Sequence, residues 1–197
     1  MKKIVIFASG SGSNAENIIR YFEGDGQIRV VALFCNRPGA FVLERASRLG
    51  VPGIVFGRDE WTSAGGIPAR LRELGVDLIV LAGFLWRVPE MILEEYPGRV
   101  INIHPALLPS HGGKGMYGER VHEAVIRAGD RKSGITIHHV NERYDEGAII
   151  FQASCDVSPG ETPGSLAAKV HALEHAHFPA VIRGLLERDM NMNRTPY

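Results

Sequence analysis

Ile4 to Ala8 form an unbroken apolar run that passes directly into Ser9-Gly10-Ser11-Gly12-Ser13-Asn14. Such a run fits a parallel strand covered on both faces. Glycines after it let the chain turn sharply into a helix. The spacing predicts a strand over Lys3–Ala8, then a helix carrying Ala15, Ile18, Ile19 and Phe22, stopped by Gly24 and Gly26. The alternation continues with a strand over Arg29–Cys35, a helix marked by Val42, Ala46 and Leu49, and a short strand over Ile54–Phe56. A helix over Ile67–Leu74, the most apolar strand over Leu78–Ala82, a helix over Val88–Tyr96 with Pro89 near its first turn, and a strand over Val100–Ile103 follow. Strands alternating with helices imply an α/β fold: a Rossmann-like, mostly parallel sheet with helices on both faces. Ligands in such sheets bind beyond the carboxyl ends of the strands. That singles out Ser9–Asn14, Asn36–Arg37, Gly83–Val88 and Asn102–His104.

The second half has another rhythm. His104–Gly118 reads as a loop too long for a plain connector, and therefore as functional. Glu119–Ala128 reads as a helix, and Gly134–Val140 and Ala148–Val157 as strands joined by the polar turn Asn141–Gly147, an antiparallel hairpin. A last helix starts near Pro163 with Leu166, Val170 and Leu173 on one face. Pro179 is expected to kink or break it, with Val181, Ile182, Leu185 and Leu186 continuing the apolar face beyond. The polar tail Asn191–Tyr197 is expected to fray. No linker or repeat divides the chain, so residues 1–197 read as one domain, with a phosphate-binding half (1–100) and a catalytic half (101–190).

Charge limits the partners. Lys plus Arg and Asp plus Glu are 22 each, so the net charge is zero. That argues against nucleic acid or an anionic membrane as a partner, though not against a small anion. Leu78–Trp86, the longest apolar run, is about nine residues against the roughly twenty a membrane-crossing helix needs. Cys35 and Cys155 sit in apolar runs and read as buried thiols. A soluble, cytoplasmic protein is expected.

Four motifs carry possible chemistry. Ser9–Ala15 offers glycines, Ser and Asn side chains, and the free N–H groups of a helix start, which suits a phosphate. The pattern Gly10-x-Gly12-x-x-Ala15 also fits a dinucleotide turn. That reading wants an acid after the second strand, where Asn36-Arg37 stands, so only an NADP variant survives. A tight turn without ligand is the plain alternative. Asn102 and His104, two apart in an extended segment, project together at a strand end. They could stabilise an oxyanion or move a proton, or simply satisfy backbone groups. The hairpin places His138-His139 near Asp145-Glu146-Gly147, and a carboxylate beside a histidine favours its protonated form. A solvated acidic turn is the alternative. His171-Ala172-Leu173-Glu174-His175 matches an inverted zinc-peptidase pattern. A third ligand is lacking, so no metal is expected, and a polar cluster beside a ligand or a solvated helix face fits better.

Taken together, these stretches resemble the formyltransferase family, and within it the folate-dependent glycinamide ribonucleotide (GAR) formyltransferases of purine synthesis. The resemblance is carried by the Ala8–Asn14 turn, Leu81-Ala82-Gly83-Phe84, Asn102-Ile103-His104-Pro105-Ala106-Leu107-Leu108-Pro109, Asp145-Glu146-Gly147 and Glu174-His175. It implies formyl transfer from 10-formyltetrahydrofolate, as co-substrate, to the amine of GAR. It implies Asn102, His104 and Asp145 as catalytic residues, with Asp145 holding His104 in its working state. It implies GAR binding by Gly12, Ser13, Asn14, His171 and Glu174. Folate would lie against Leu85, Trp86, Arg87 and Val88, with Asn102, and against the turn Asn141, Glu142, Arg143 and Tyr144. Arg58 is a candidate for the acidic folate tail, and Lys114 and Tyr117 either cover a substrate or form a surface lid.

The expected partners are these two small molecules, with a monomer or homodimer as the assembly. A formyltetrahydrofolate hydrolase or a methionyl-tRNA formyltransferase is expected to carry an additional domain that this chain does not show. An NADP oxidoreductase, from fold pattern alone, leaves Asn102, His104 and Asp145 without a joint task.

Overall fold

In the first half of the chain the central strands bury both faces, and their alternate side chains enter two separate cores. The computed structural model describes residues 1–192. The elements are β1 (Lys2–Ala8), α1 (Ser13–Tyr21), β2 (Ile28–Cys35), α2 (Phe41–Arg48), β3 (Gly53–Val55), α3 (Arg58–Thr62), α4 (Ile67–Leu74), β4 (Leu78–Leu81), α5 (Glu90–Glu95), β5 (Val100–His104), α6 (Glu119–Ala128), β6 (Lys132–His139), β7 (Ile149–Asp156) and α7 (Pro163–Met192). One seven-stranded sheet orders them β3-β2-β1-β4-β5-β6-β7. β3, β2, β1, β4 and β5 pair in parallel, and β6 and β7 are antiparallel additions. This is the mostly parallel sheet with a C-terminal hairpin that the sequence implies.

Side-chain alternation explains the layers. Ile4, Ile6 and Ala8 of β1 pack with Ala15, Ile18 and Ile19 of α1, Val42 and Ala46 of α2, Val125 of α6, and Leu166, Val170 and Phe178 of α7. Val5 and Phe7 turn to the opposite face, where Trp61 of α3, Ile67 and Leu71 of α4 and Ile92 of α5 cover them. Phe7 is the hub there. It stacks on Phe34 at 4.8 Å and meets Phe56, Trp61 and Phe84 at 5.8, 5.2 and 5.4 Å between ring centres. Such aromatic pairs add roughly 0.5–1.5 kcal/mol each beyond their burial. Phe84 thereby anchors the loop after β4.

Three elements differ from the sequence expectation. α3 has five residues, too few to show a helical period. Its start is held by the Gly57 N–H, which donates to Glu60 Oε2 at 3.0 Å. α5 begins at Glu90, because Pro89 disfavours helical backbone at Val88 and itself takes an extended conformation, φ −62° and ψ 144°. α7 is not broken at Pro179; it continues as one helix of 30 residues. Pro179 has no N–H to give to the carbonyl of His175, four residues back. Asn17 of α1 supplies that donor: its Nδ2 reaches the His175 carbonyl at 2.9 Å. The tail expectation falls partly on residues 193–197, which lie outside the described residues, while Asn191 and Met192 belong to α7. Among the described residues no helix is long and apolar enough to cross a membrane.

The Asn17 bond yields a stability prediction. Asn17→Ala leaves the His175 carbonyl without its donor and should cost about 1 kcal/mol in urea unfolding. In a Pro179→Ala background, where the helix can supply its own N–H, the same substitution should cost clearly less. Equal costs in both backgrounds would refute the compensation.

Candidate active site

β2 and β4 flank β1, so the connections from β1 and β4 leave in opposite directions and open a crevice at the strand ends. A cleft of about 790 Å³ lies there. It is lined by the β1–α1 turn, the loop after β4, the end of β5, the glycine-rich loop before α6, the β6–β7 turn and one side of α7.

The reactive face is built by strand register. β5 and β6 run antiparallel with Asn102 opposite His138 and His104 opposite Thr136. Directly opposed residues share a sheet face, so all four side chains project together. Thr136 is fully buried and ties down the loop after β5. Its hydroxyl donates to the Ala106 carbonyl at 2.7 Å and accepts from the Leu108 N–H at 2.9 Å.

His104 is 3% exposed. Its Nε2 lies 2.9 Å from the His111 carbonyl, which can only accept. The neutral ring therefore carries its proton on Nε2 and a lone pair on Nδ1. Nδ1 stands 3.6 Å from Asp145 Oδ2. Asp145 takes a left-handed backbone conformation, φ 58°, and the Gly113 N–H donates to Oδ2 at 2.9 Å. Its Oδ1 is 3.6 Å from His138 Nε2. Asn102 Nδ2 donates to that same Nε2 at 3.1 Å, and His138 Nδ1 donates to the His139 carbonyl at 2.8 Å.

Burial pushes His104 below the ordinary histidine range, and the Asp145 charge opposes this without overcoming it. The resting imidazole of His104 is therefore neutral, a base. For Asp145 the largest single influence, burial, pushes upward, but His138, His104 and the Gly113 N–H together hold it below the usual carboxylate range.

The β1–α1 turn is a formed cradle. Gly12 has φ 78° at the start of α1, and a Cβ there would fall 2.1 Å from Val42 Cγ2. Glycine is thus required by the packing of α1 on α2 as well as by any ligand. Ser13 and Asn14 open α1. Asn14 Nδ2 donates to Glu174 Oε2 at 2.9 Å, and His171 Nδ1 donates to the same oxygen at 2.7 Å. Glu174 is 4% exposed, and the Asn14 Oδ1 is buried without a partner. The bond to Glu174 raises the His171 pKa, favouring a cation at the cleft wall. The His-x-x-Glu-His stretch is therefore a hydrogen-bonded cluster, with its two rings 6.4 Å apart. Among the described residues no group of three or more His, Cys, Asp or Glu side chains is placed to hold a metal.

Leu85, Trp86, Arg87, Val88, Asn141, Arg143 and Tyr144 line the cleft. Glu142 does not; it is exposed, in a turn where the Asn141 side chain accepts the Arg143 N–H at 2.9 Å. Arg58 also lies off the cleft wall, its guanidinium 4.3 Å above the Trp86 ring. Lys114 and Tyr117 do line it. Asn36 is internal: Ser9 Oγ donates to its Oδ1 at 2.7 Å and accepts from the Leu85 N–H at 3.2 Å. Arg37 is exposed and off the cleft, so the NADP reading has no residue in place.

Two cleft histidines receive no site role from the sequence, although His138 stands in the hairpin motif. His138 needs the β5–β6 register to be placed, although its spacing from Thr136 already puts both on one face. His122 on α6 is 4% exposed with an unpartnered Nδ1, and no neighbouring residue marks it.

A family model described as formyl transferase matches residues 2–182. The chain belongs to the formyl transferase family. It is 37% identical over 191 residues to the phosphoribosylglycinamide formyltransferase of Bacillus subtilis, covering 94% of this chain and 95% of that protein. It is 41% identical over 195 residues to the chloroplastic phosphoribosylglycinamide formyltransferase of Arabidopsis thaliana, covering 94% of this chain and 66% of that longer protein. The crystal structure of phosphoribosylglycinamide formyltransferase from Bacillus halodurans matches with a TM-score of 0.85 and 36% identity, over 98% of this chain and 100% of that one.

The electrostatics predict a titration. In an NMR titration His104 should lose its proton below the ordinary histidine range, because burial disfavours its charged form. Asp145→Asn removes the charge that raises it, so the His104 pKa should fall further. A rise in the variant would contradict the assigned balance.

Proposed function

We propose that this chain is a phosphoribosylglycinamide formyltransferase, which moves the formyl group of 10-formyltetrahydrofolate to the amine of GAR in purine biosynthesis. The observation that carries this reading is the buried, neutral His104, with its Nδ1 lone pair facing Asp145, in the same cleft as Asn102 and the α1 start.

The reaction needs no protein nucleophile, since the substrate amine attacks the formyl carbon. It needs a base for the amine proton, donors for the oxygen that gains charge, and an acid for the departing folate nitrogen. His104 Nδ1 takes the proton, and Asp145, 3.6 Å away, pairs with the imidazolium that results. Protonated His104 then becomes the acid. General acid–base help of this kind is worth roughly 10²–10⁴ in rate. Asn102 commits one N–H to His138, which orients the amide so that its second N–H can meet the oxyanion. In the resting tautomer His104 Nε2 is taken up by the His111 carbonyl, so Asn102 is the first oxyanion donor. Removing one such donor costs about 10²–10³ in turnover.

Binding follows the same logic. The N–H groups at the start of α1, with Ser13, Asn14 and cationic His171, suit the phosphate of GAR. Glu174, buried but facing the cleft, suits its ribose hydroxyls. The half-buried Leu85 and Trp86, with Val88 and the turn residues Asn141 and Tyr144, suit a flat heterocycle such as the folate ring. Residues 1–100 thus contribute the loop of the phosphate cradle, and residues 101–190 the acid–base group together with His171 and Glu174.

The test is an assay of purified protein with 10-formyltetrahydrofolate, with and without GAR. Tetrahydrofolate should form only when GAR is present, and equal formation without it would make the protein a hydrolase. His104→Ala should lower kcat by about 10²–10⁴ and leave GAR affinity within a few-fold. Loss of affinity on the same scale would make His104 a structural residue.

A further inference from the structure

His111 and Asp130 stand outside the cleft lining, yet they join to form a short contact beside it. His111 Nε2 and Asp130 Oδ2 are 2.6 Å apart. His111 adopts φ 55°, a left-handed conformation that residues other than glycine seldom take. The carbonyl of this same residue accepts the Nε2–H of His104 at 2.9 Å. Two positions on, the Gly113 N–H holds Asp145 Oδ2 at 2.9 Å. Gly112 between them has no room for a side chain: a Cβ would fall 2.5 Å from Leu108 Cδ2 and 3.2 Å from Asp145 Cβ.

One three-residue stretch therefore holds both partners of the acid–base pair. Gly112, Gly113 and Gly115 give this stretch little conformational preference of its own. Asp130 provides the outside anchor. It follows the left-handed Gly129 that ends α6, and its own N–H donates to the Val125 carbonyl at 3.4 Å.

We propose that the His111–Asp130 contact is a positioning device that sets the tautomer of His104. This rests on the reading of His104 as the base. While the ring of His111 is clamped, its carbonyl faces His104 Nε2 and requires the proton there, leaving Nδ1 free to accept. If the His111 peptide turns away, Nε2 loses its acceptor. The ring proton then moves to Nδ1, where the Asp145 carboxylate is the nearest acceptor. In that tautomer Nδ1 has no lone pair for the substrate proton. His111 and Asp130 act through His104 and need touch no substrate.

The test uses the full chain with ¹⁵N-labelled histidine. In the unaltered protein the two His104 nitrogens should show the separate shifts of a single Nε2–H tautomer. Asp130→Ala and His111→Phe should draw them towards the averaged values of an exchanging ring. Both variants should lose about tenfold to a hundredfold in kcat, with the KM for GAR within twofold. Asp130→Asn keeps an oxygen to accept from His111 and should retain the tautomer and most of the turnover. Unchanged His104 shifts in both disruptive variants would overturn the proposal, as would altered shifts with kcat within twofold of the unaltered protein. An active His104→Ala protein would instead refute the base assignment, while the tautomer result would stand by itself.

Discussion

The antiparallel register of β5 against β6 is the constraint on which the reactive face depends. Asn102, His104, Thr136 and His138 share one side because Asn102 pairs with His138 and His104 with Thr136. A slip of one residue would turn each inward group of one strand to the opposite face. The parallel part of the sheet does not fix this register. It is held from outside by Thr136, which binds the chain just past β5, and by Gln152 of β7, whose Nε2 donates to the Leu108 carbonyl at 3.0 Å and to Thr136 Oγ1 at 2.9 Å. The hairpin is thus the template that aligns the groups proposed for the acid–base work.

The ligand-facing loops are tied in a second way, by shared partners between strands. Ser9 links the ends of β1 and β2 with the loop after β4 through Asn36 and the Leu85 N–H. Arg45 Nε donates to the Ser11 carbonyl at 3.0 Å, and the Val42 N–H to the Gly10 carbonyl at 3.2 Å. The turn proposed to hold the phosphate is therefore preorganised by α2, which lowers the ordering cost of binding.

The sequence makes the parallel strands and their helices legible because apolar runs buried on both faces have no other economical use. The Asn102–His104 pair and the Ser9–Asn14 turn are legible for a related reason, since they stand at the carboxyl ends of such strands. Other features depend on long-range facts. The compensation of Pro179 lies in Asn17, 158 residues from its partner His175, and no local pattern announces it. The direction of the His104 shift follows from burial beneath the loop after β5, whereas residue identities alone point to the nearby carboxylate. His138 needs a register, and Glu142 leaves the cleft because of a local turn that the neighbouring Asn141 caps.

In the proposed mechanism, the closeness of His104 to Asp145 also determines how charge changes over a turnover. At rest the pair carries one negative charge, on a carboxylate mostly withdrawn from water. When His104 takes a proton the pair becomes neutral overall. The interior thus never has to hold an unpaired imidazolium. On that proposal, proton uptake discharges the site, and proton return to the leaving nitrogen recharges it for the next cycle.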